Sequence, residues 1–118
     1  NITRIGFVAS EITKNGGIVI CAPIAPYEQS REENKKLISE YGNYVEIFVS
    51  TPLSTCERRD TKGLYAMARQ GKIKGFTGID DPYETPTNPS LAIDTTDITE
   101  EEAIQKVTLY LEKEGYIG

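Results

Sequence analysis

Six cations stand between residues 58 and 74 (Arg58, Arg59, Lys62, Arg69, Lys72 and Lys74) against one anion, Asp60. From residue 75 onward two cations face ten anions, and the 118-residue chain carries a net charge of −5. A compact basic segment in an acidic chain suits a small anionic ligand better than a long polyanion. General nucleic-acid binding is excluded on the same ground. On charge alone a second reading stays open, a solvated face of Lys and Arg. Two neighbouring segments also stand out. Gly75-Phe76-Thr77-Gly78-Ile79-Asp80 leads into Pro82-Tyr83-Glu84, and Pro23-Ile24-Ala25-Pro26-Tyr27 is closed by Arg31.

The missing residue types narrow the chemistry. Histidine is absent, which removes Ser-His-Asp and Cys-His catalysis and His-ligated zinc. Cys21 and Cys56 lie far apart without CxxC spacing. Cys21 sits in an apolar run, so a reduced core thiol and a reducing, cytoplasmic setting are expected. No phosphate-binding GxxxxGK[ST] occurs. No apolar run approaches the roughly 18–20 residues of a membrane span. The chain opens on Asn1 with no apolar signal-type stretch, so further residues upstream are expected.

These segments need elements to hold them. Residues 17–24, Gly-Ile-Val-Ile-Cys-Ala-Pro-Ile, read as a strand buried on both faces of a parallel sheet. Residues 44–50 and 91–95 read as two more strands. Ile5, Val8, Ala9 and Ile12 recur at helical spacing over 2–14, and Asn15-Gly16-Gly17 ends that helix. A charged helix is expected over 28–40. Thr51-Pro52 reads as N-cap and first turn of another, running to Arg59. Thr99 and Glu102 form a capping box for a last helix with Ile104, Val107 and Leu111 as its buried stripe and Gly115 beyond its end. Alternating helices and strands predict an α/β fold, a parallel sheet with helices on both faces. The long polar excursion 52–90 is where lids and binding loops occur.

The run RDTKGLYAMARQGKIKGFTGIDDPYE, residues 59–84, closely resembles the lid and substrate loop of adenylylsulfate (APS) kinases. The resemblance extends over essentially the whole chain, which reads as one partial kinase domain with its lid and substrate loop at about 58–90. It implies a sheet of the P-loop kinase type. It also implies transfer of the ATP γ-phosphoryl group to the 3′-hydroxyl of adenylylsulfate, giving 3′-phosphoadenylylsulfate (PAPS) and ADP, with Mg²⁺. Residue by residue, it implies that Phe76 stacks on the adenine of adenylylsulfate while Gly75 and Gly78 admit close backbone approach. On the residues alone, Phe76 reads more simply as a core anchor for its loop. Lys62 would contact the substrate and Arg59 would lie against the ATP adenine. Arg69, Lys72 and Lys74 belong to the lid, where some of them would neutralise phosphate or sulfate charge. Asn1, Ile24 and Ala25 match substrate-side positions, and Ile98 falls near a second contact to the nucleotide. Arg31 would pair with the substrate's anionic group, its alternative being an i,i+4 ion-pair partner of acids toward Lys35 on a surface helix. The family also implies a homodimer.

Three departures from the family pattern matter. Its usual Ile-Ser-Pro is Ile24-Ala25-Pro26 here, so no hydroxyl can act as a nucleophile at that position. Its usual arginine two residues after that proline is Glu28. The P-loop and the following Asp-Gly-Asp segment are not among these residues, so the ligands of Mg·ATP are expected upstream of residue 1. The missing P-loop strand would lie centrally in the sheet, so these 118 residues alone are expected to be inactive and poorly stable. Ala-Pro-Ile-Ala-Pro-Tyr resembles kinase domains fused behind a sulfate adenylyltransferase. Two alternatives compete. A P-loop kinase for another small molecule should lack KGFTGID. A degenerate module that binds adenylylsulfate or PAPS and regulates a partner is favoured by Ala25, Glu28 and the missing P-loop and opposed by the retained Arg59, Lys62 and Phe76.

Overall fold

The computed structural model describes residues 1–118, which divide into two compact units. The first holds Asn1–Tyr44 and Pro82–Pro86, and the second holds Val45–Asp81 and Thr87–Gly118.

In the first unit α1 (Ile2–Lys14) packs on α2 (Glu28–Ser39). The packing face of α1 is its small residues, Gly6, Ala9 and Ser10. A Cβ on Gly6 would lie 1.9 Å from Asn34 Oδ1, so only glycine admits the Asn34 amide, which donates to the Ile2 carbonyl at 3.0 Å. The expected stripe is therefore rotated. Ala9 is buried, but Val8 and Ile12 are exposed, because close helix approach selects the smallest side chains. Asn15-Gly16-Gly17 ends α1 as expected: Gly16 N–H donates to Thr13 O and Gly17 N–H to Ile12 O, with Gly16 at φ 81°.

No strand forms at residues 17–24. Ile18 and Ile20 are 82% and 91% exposed, and Cys21 is an exposed free thiol rather than a core one. A doubly buried strand needs ladder partners, and none of these residues supplies one. The run is apolar, but burial depends on neighbours that composition does not name.

The second unit is built on two parallel strands, β1 (Ile47–Val49) and β2 (Leu91–Ile93), with Phe48 opposite Ala92. They lie within the runs expected at 44–50 and 91–95, each shorter than expected. The connection carries α3 (Leu53–Arg59) and α4 (Leu64–Arg69), the latter inside the stretch read as a loop. Pro52, not Thr51, occupies the cap of α3. The Thr51 hydroxyl instead meets the Thr95 hydroxyl at 2.7 Å and accepts from Thr95 N–H at 3.0 Å, tying together the chain just beyond the two strands. The last helix, α5 (Glu100–Lys113), starts at the expected capping box: Thr99 accepts from Glu102 N–H, and Glu102 accepts from Thr99 N–H. Gly115, at φ 78°, closes it. Its expected stripe stays partly open: Val107 and Leu111 are half-buried and Ile104 is exposed.

The buried apolar residues are Ala9 and Ile38 in the first unit and Ala68 and Ile93 in the second.

Candidate functional site

Ligands of open α/β sheets bind beyond the carboxyl ends of the strands. In the second unit that place is built by Thr51 after β1, Asp94-Thr95-Thr96 after β2, and Arg59 at the end of α3. Arg59 Nη1 donates to Thr95 Oγ1 at 2.8 Å, and Nη2 donates to the carbonyls of Thr95 and Thr96 at 2.6 and 3.3 Å. Three acceptors fix the guanidinium plane against the segment that leads to half-buried Ile98. Asp94 accepts from Thr96 Oγ1 at 2.5 Å and from Thr96 N–H at 2.9 Å. These bonds, with Arg59 as a lesser influence, hold its carboxyl below the usual range.

Asp60 shapes the next turn. At φ 29°, its carboxylate accepts from Tyr65 N–H at 2.9 Å and from Ala66 N–H at 3.0 Å, satisfying donors at the start of α4. Lys62 stands on that turn, exposed and without an ion pair, before Gly63 at φ 69°. A charge with no partner inside the protein is available to a ligand.

The Phe76 loop is held in a similar way. Asp80 accepts from Gly75 N–H at 2.7 Å and from Phe76 N–H at 2.6 Å. These two donors, Gly75 first, pull the Asp80 carboxyl below its ordinary value. Gly75 and Gly78 take φ of 66° and 90°, a region where other residues are strained. The half-buried Phe76 ring meets Tyr65 edge-on, with centroids 5.1 Å apart and planes at 71°. Burial, then Cys56, pushes the Tyr65 phenol up. One edge of the Phe76 ring thus anchors the loop, and the ring is half covered.

Of the three cations expected in a lid, Arg69 forms an ion pair with Glu57, whereas Lys72 and Lys74 are exposed without ion pairs. An exposed pair contributes about 0–1 kcal/mol, so Arg69 can exchange Glu57 for another anion at little cost.

In the first unit Ile24 is exposed, and Ala25 takes the left-handed φ of 47°. Asn1 is exposed at the head of α1, its side chain making no capping bond. Arg31 is only 6% exposed. Its Nη1 donates to Ala25 O at 2.6 Å, and its Nη2 donates to Glu28 Oε2 at 2.5 Å and to Glu84 O at 2.7 Å. Nε is buried without an acceptor. The surface-helix alternative fails on both counts: the ion pair is with Glu28, three residues before Arg31 rather than toward Lys35, and the side chain is buried.

Sequence reasoning passed over Asp60, Asp80, Asp94 and Glu84. An Asp shortly before a Gly-containing turn is a local cue for the first of these. Glu84 gave no cue, since its partners lie more than fifty residues away. The residues gather no group of three side chains able to hold a metal ion. No helix is long and apolar enough to cross a membrane.

The parallel strand pair, its helical connection and the ligand-type loops beyond the strands define an α/β protein of the P-loop kinase type. A solved APS kinase from Mycobacterium tuberculosis, in complex with AMPPNP and APS, superposes with a TM-score of 0.86 at 41% identity, over 94% of this chain and 64% of that one. The adenylylsulphate kinase family model matches residues 1–94, and the chain belongs to that family. It is 57% identical over 118 residues to an adenylyl-sulfate kinase of Picosynechococcus, covering 99% of this chain and 64% of that protein. It is 50% identical over 116 residues to a sulfate adenylyltransferase of Aspergillus oryzae, covering 98% of this chain. The chain thus spans 20% of the sulfate adenylyltransferase and just under two thirds of the kinase.

Proposed function

We propose that this chain supplies the substrate side of an adenylylsulfate kinase, which moves the γ-phosphoryl group of ATP to the 3′-hydroxyl of adenylylsulfate and releases PAPS and ADP. The observation that carries the reading is the Asp-braced pair of loops, residues 59–66 and 75–81, which present an unpaired Lys62 and a half-covered Phe76. A purine nucleotide with an anionic ester needs both a stacking face and a cation. Arg59, fixed at the carboxyl end of the sheet, offers a planar cation to the second nucleotide's base, near Ile98. Lys72, Lys74 and Arg69 form a lid at about 58–90 that neutralises charge as it closes. Asn1, Ile24 and Ala25 match substrate-side positions of the family.

Phosphoryl transfer relies mainly on positioning and charge stabilisation, so direct in-line transfer needs no protein nucleophile. Ala25 is compatible with that route and excludes a phosphorylated intermediate at its position. Mg²⁺, bound with ATP, supplies charge neutralisation at the phosphates, and no ligand to it is assigned among these residues. Fusion to a sulfate adenylyltransferase, a homodimer and a cytoplasmic setting belong to the same reading, the last supported by two free thiols.

The test is PAPS formation from adenylylsulfate and Mg·ATP by the longest natural chain that contains this sequence. PAPS supports the kinase. Adenylylsulfate binding without PAPS supports the regulatory module, the reading that Ala25 and Glu28 favour.

A further inference from the structure

Arg31 and Glu84 make a closed set of bonds that the proposed chemistry has not yet used. Glu84 N–H donates to Pro26 O at 2.8 Å. Glu84 Oε1 accepts from Glu28 N–H at 2.8 Å, the first backbone donor of α2. Tyr27, the cap residue of α2, supplies no side-chain bond there, so a carboxylate 56 residues along the chain does. Glu84 O in turn accepts from Arg31 Nη2 at 2.7 Å, while Arg31 Nη1 reaches Ala25 O at 2.6 Å. The Arg31 guanidinium also lies 5.7 Å from the centre of the Tyr83 ring. All of these residues belong to the first unit.

Three physical points follow. First, a non-glycine residue in the left-handed region is strained and persists only where its surroundings over-determine it. Ala25, at φ 47°, is so held: its carbonyl is fixed by Arg31 and the next carbonyl, that of Pro26, by Glu84. Second, three of the five guanidinium N–H groups are engaged, and Nε is buried. Third, Arg31 brings one positive charge against the two carboxylates Glu28 and Glu84. An anionic substrate approaching this cluster meets net negative charge.

We propose that Arg31 and Glu84 are positioning residues, a clamp that sets the Ile24–Ala25 turn for adenylylsulfate, and that neither binds the substrate's anionic group. The role rests on the kinase reading. It replaces the anion contact expected of Arg31 and gives a purpose to Pro82-Tyr83-Glu84, which follows the Phe76 loop in sequence. It also accounts for Glu28 where the family's arginine is usual: a carboxylate there completes the pairing of Arg31.

The experiment compares Arg31→Ala, Arg31→Lys, Glu84→Ala, Glu84→Gln and the Arg31→Ala/Glu84→Ala double variant in the longest natural chain that contains this sequence. The readouts are KM for adenylylsulfate, KM for ATP and kcat. A clamp gives the same rise of roughly 10- to 100-fold in adenylylsulfate KM for Arg31→Ala and Glu84→Ala, with ATP KM unchanged. The double variant is no worse than the weaker single one, because both act through one turn. Glu84→Gln, which keeps an acceptor for Glu28 N–H, stays near wild type. Arg31→Lys recovers only part, because an ammonium cannot reproduce the guanidinium fork. Direct ligation by Arg31 gives another pattern, with Glu84→Ala leaving the KM unchanged or lowering it, and that pattern overturns the clamp. If Arg31→Ala fails to fold, Arg31→Lys and Glu84→Ala carry the same comparison. If the wild type forms no PAPS but binds adenylylsulfate, the variants are ranked by calorimetric Kd with the same expectations. If it neither binds nor reacts, the kinase reading fails and the substrate role of the clamp fails with it.

Discussion

Truncating Phe76 to alanine separates anchoring from stacking. The backbone of its loop is held by Asp80, which accepts from Gly75 N–H and Phe76 N–H, and the substitution leaves both bonds in place. What is lost is the ring. Its edge contact with Tyr65 at 5.1 Å is worth about 0.5–1.5 kcal/mol and should appear as stability. Its face, if adenine stacks there, is worth about 1–3 kcal/mol. That converts to an increase of about 5- to 150-fold in KM for adenylylsulfate, with KM for ATP unchanged. Tyr65→Leu removes the edge contact and keeps the ring, so it should lower stability without the rise in KM. The assay is steady-state PAPS formation with adenylylsulfate varied at saturating Mg·ATP, alongside urea unfolding of each variant. A Phe76→Ala protein that loses stability but keeps its KM would refute the stacking role and leave Phe76 as an anchor.

Three further outcomes are expected. Thr99→Ala should cost about 0.5–2 kcal/mol, read as a lower urea midpoint, because it removes the hydroxyl that accepts from Glu102 N–H at the start of α5, while Thr99 N–H can still donate to Glu102. Asp80 has a depressed pKa in the folded chain, so its bonds are fully present above the unfolded value of about 3.9 and are lost as pH falls through the lower folded value. Amide resonances of Gly75 and Phe76 should therefore stay constant down to about pH 4 and move only below it, and a midpoint at or above the ordinary value would contradict this. The 118-residue chain alone leaves Ile18 and Ile20 82% and 91% exposed. It should bind a hydrophobic dye, unfold without a sharp transition and react at Cys21 before Cys56. A cooperative melt with no dye binding would contradict that.

Signals confined to a few neighbouring residues were legible in the sequence. The Thr99–Glu102 box, the glycine endings of α1 and α5, and the centres of β1 and β2 all follow from local bonding and composition. The fold class was legible through alternation of elements, and the family through KGLY and KGFTGID. What failed to show depends on residues far apart. Ile18 and Ile20 carry the composition of a buried strand but have no ladder partner here. Thr51 has the chemistry of an N-cap, yet its hydroxyl finds Thr95, 44 residues on, across the ends of two paired strands. Arg31 looked like a surface or ligand cation because nothing near it in sequence announces Glu84. The site was therefore legible as a set of residue types, while the carboxylates that brace it were not, since Asp60, Asp80 and Glu84 act through backbone donors that any residue could supply.

The most direct test of the kinase reading is a single turnover with ATP labelled at the γ-phosphoryl group, using the natural chain that contains this sequence, with adenylylsulfate or its 3′-deoxy analogue as acceptor. Label should pass into PAPS with adenylylsulfate, none should transfer to the analogue, and none should be held on the protein. Label trapped on the protein, or binding of adenylylsulfate with no transfer at all, would contradict direct phosphorylation of the 3′-hydroxyl.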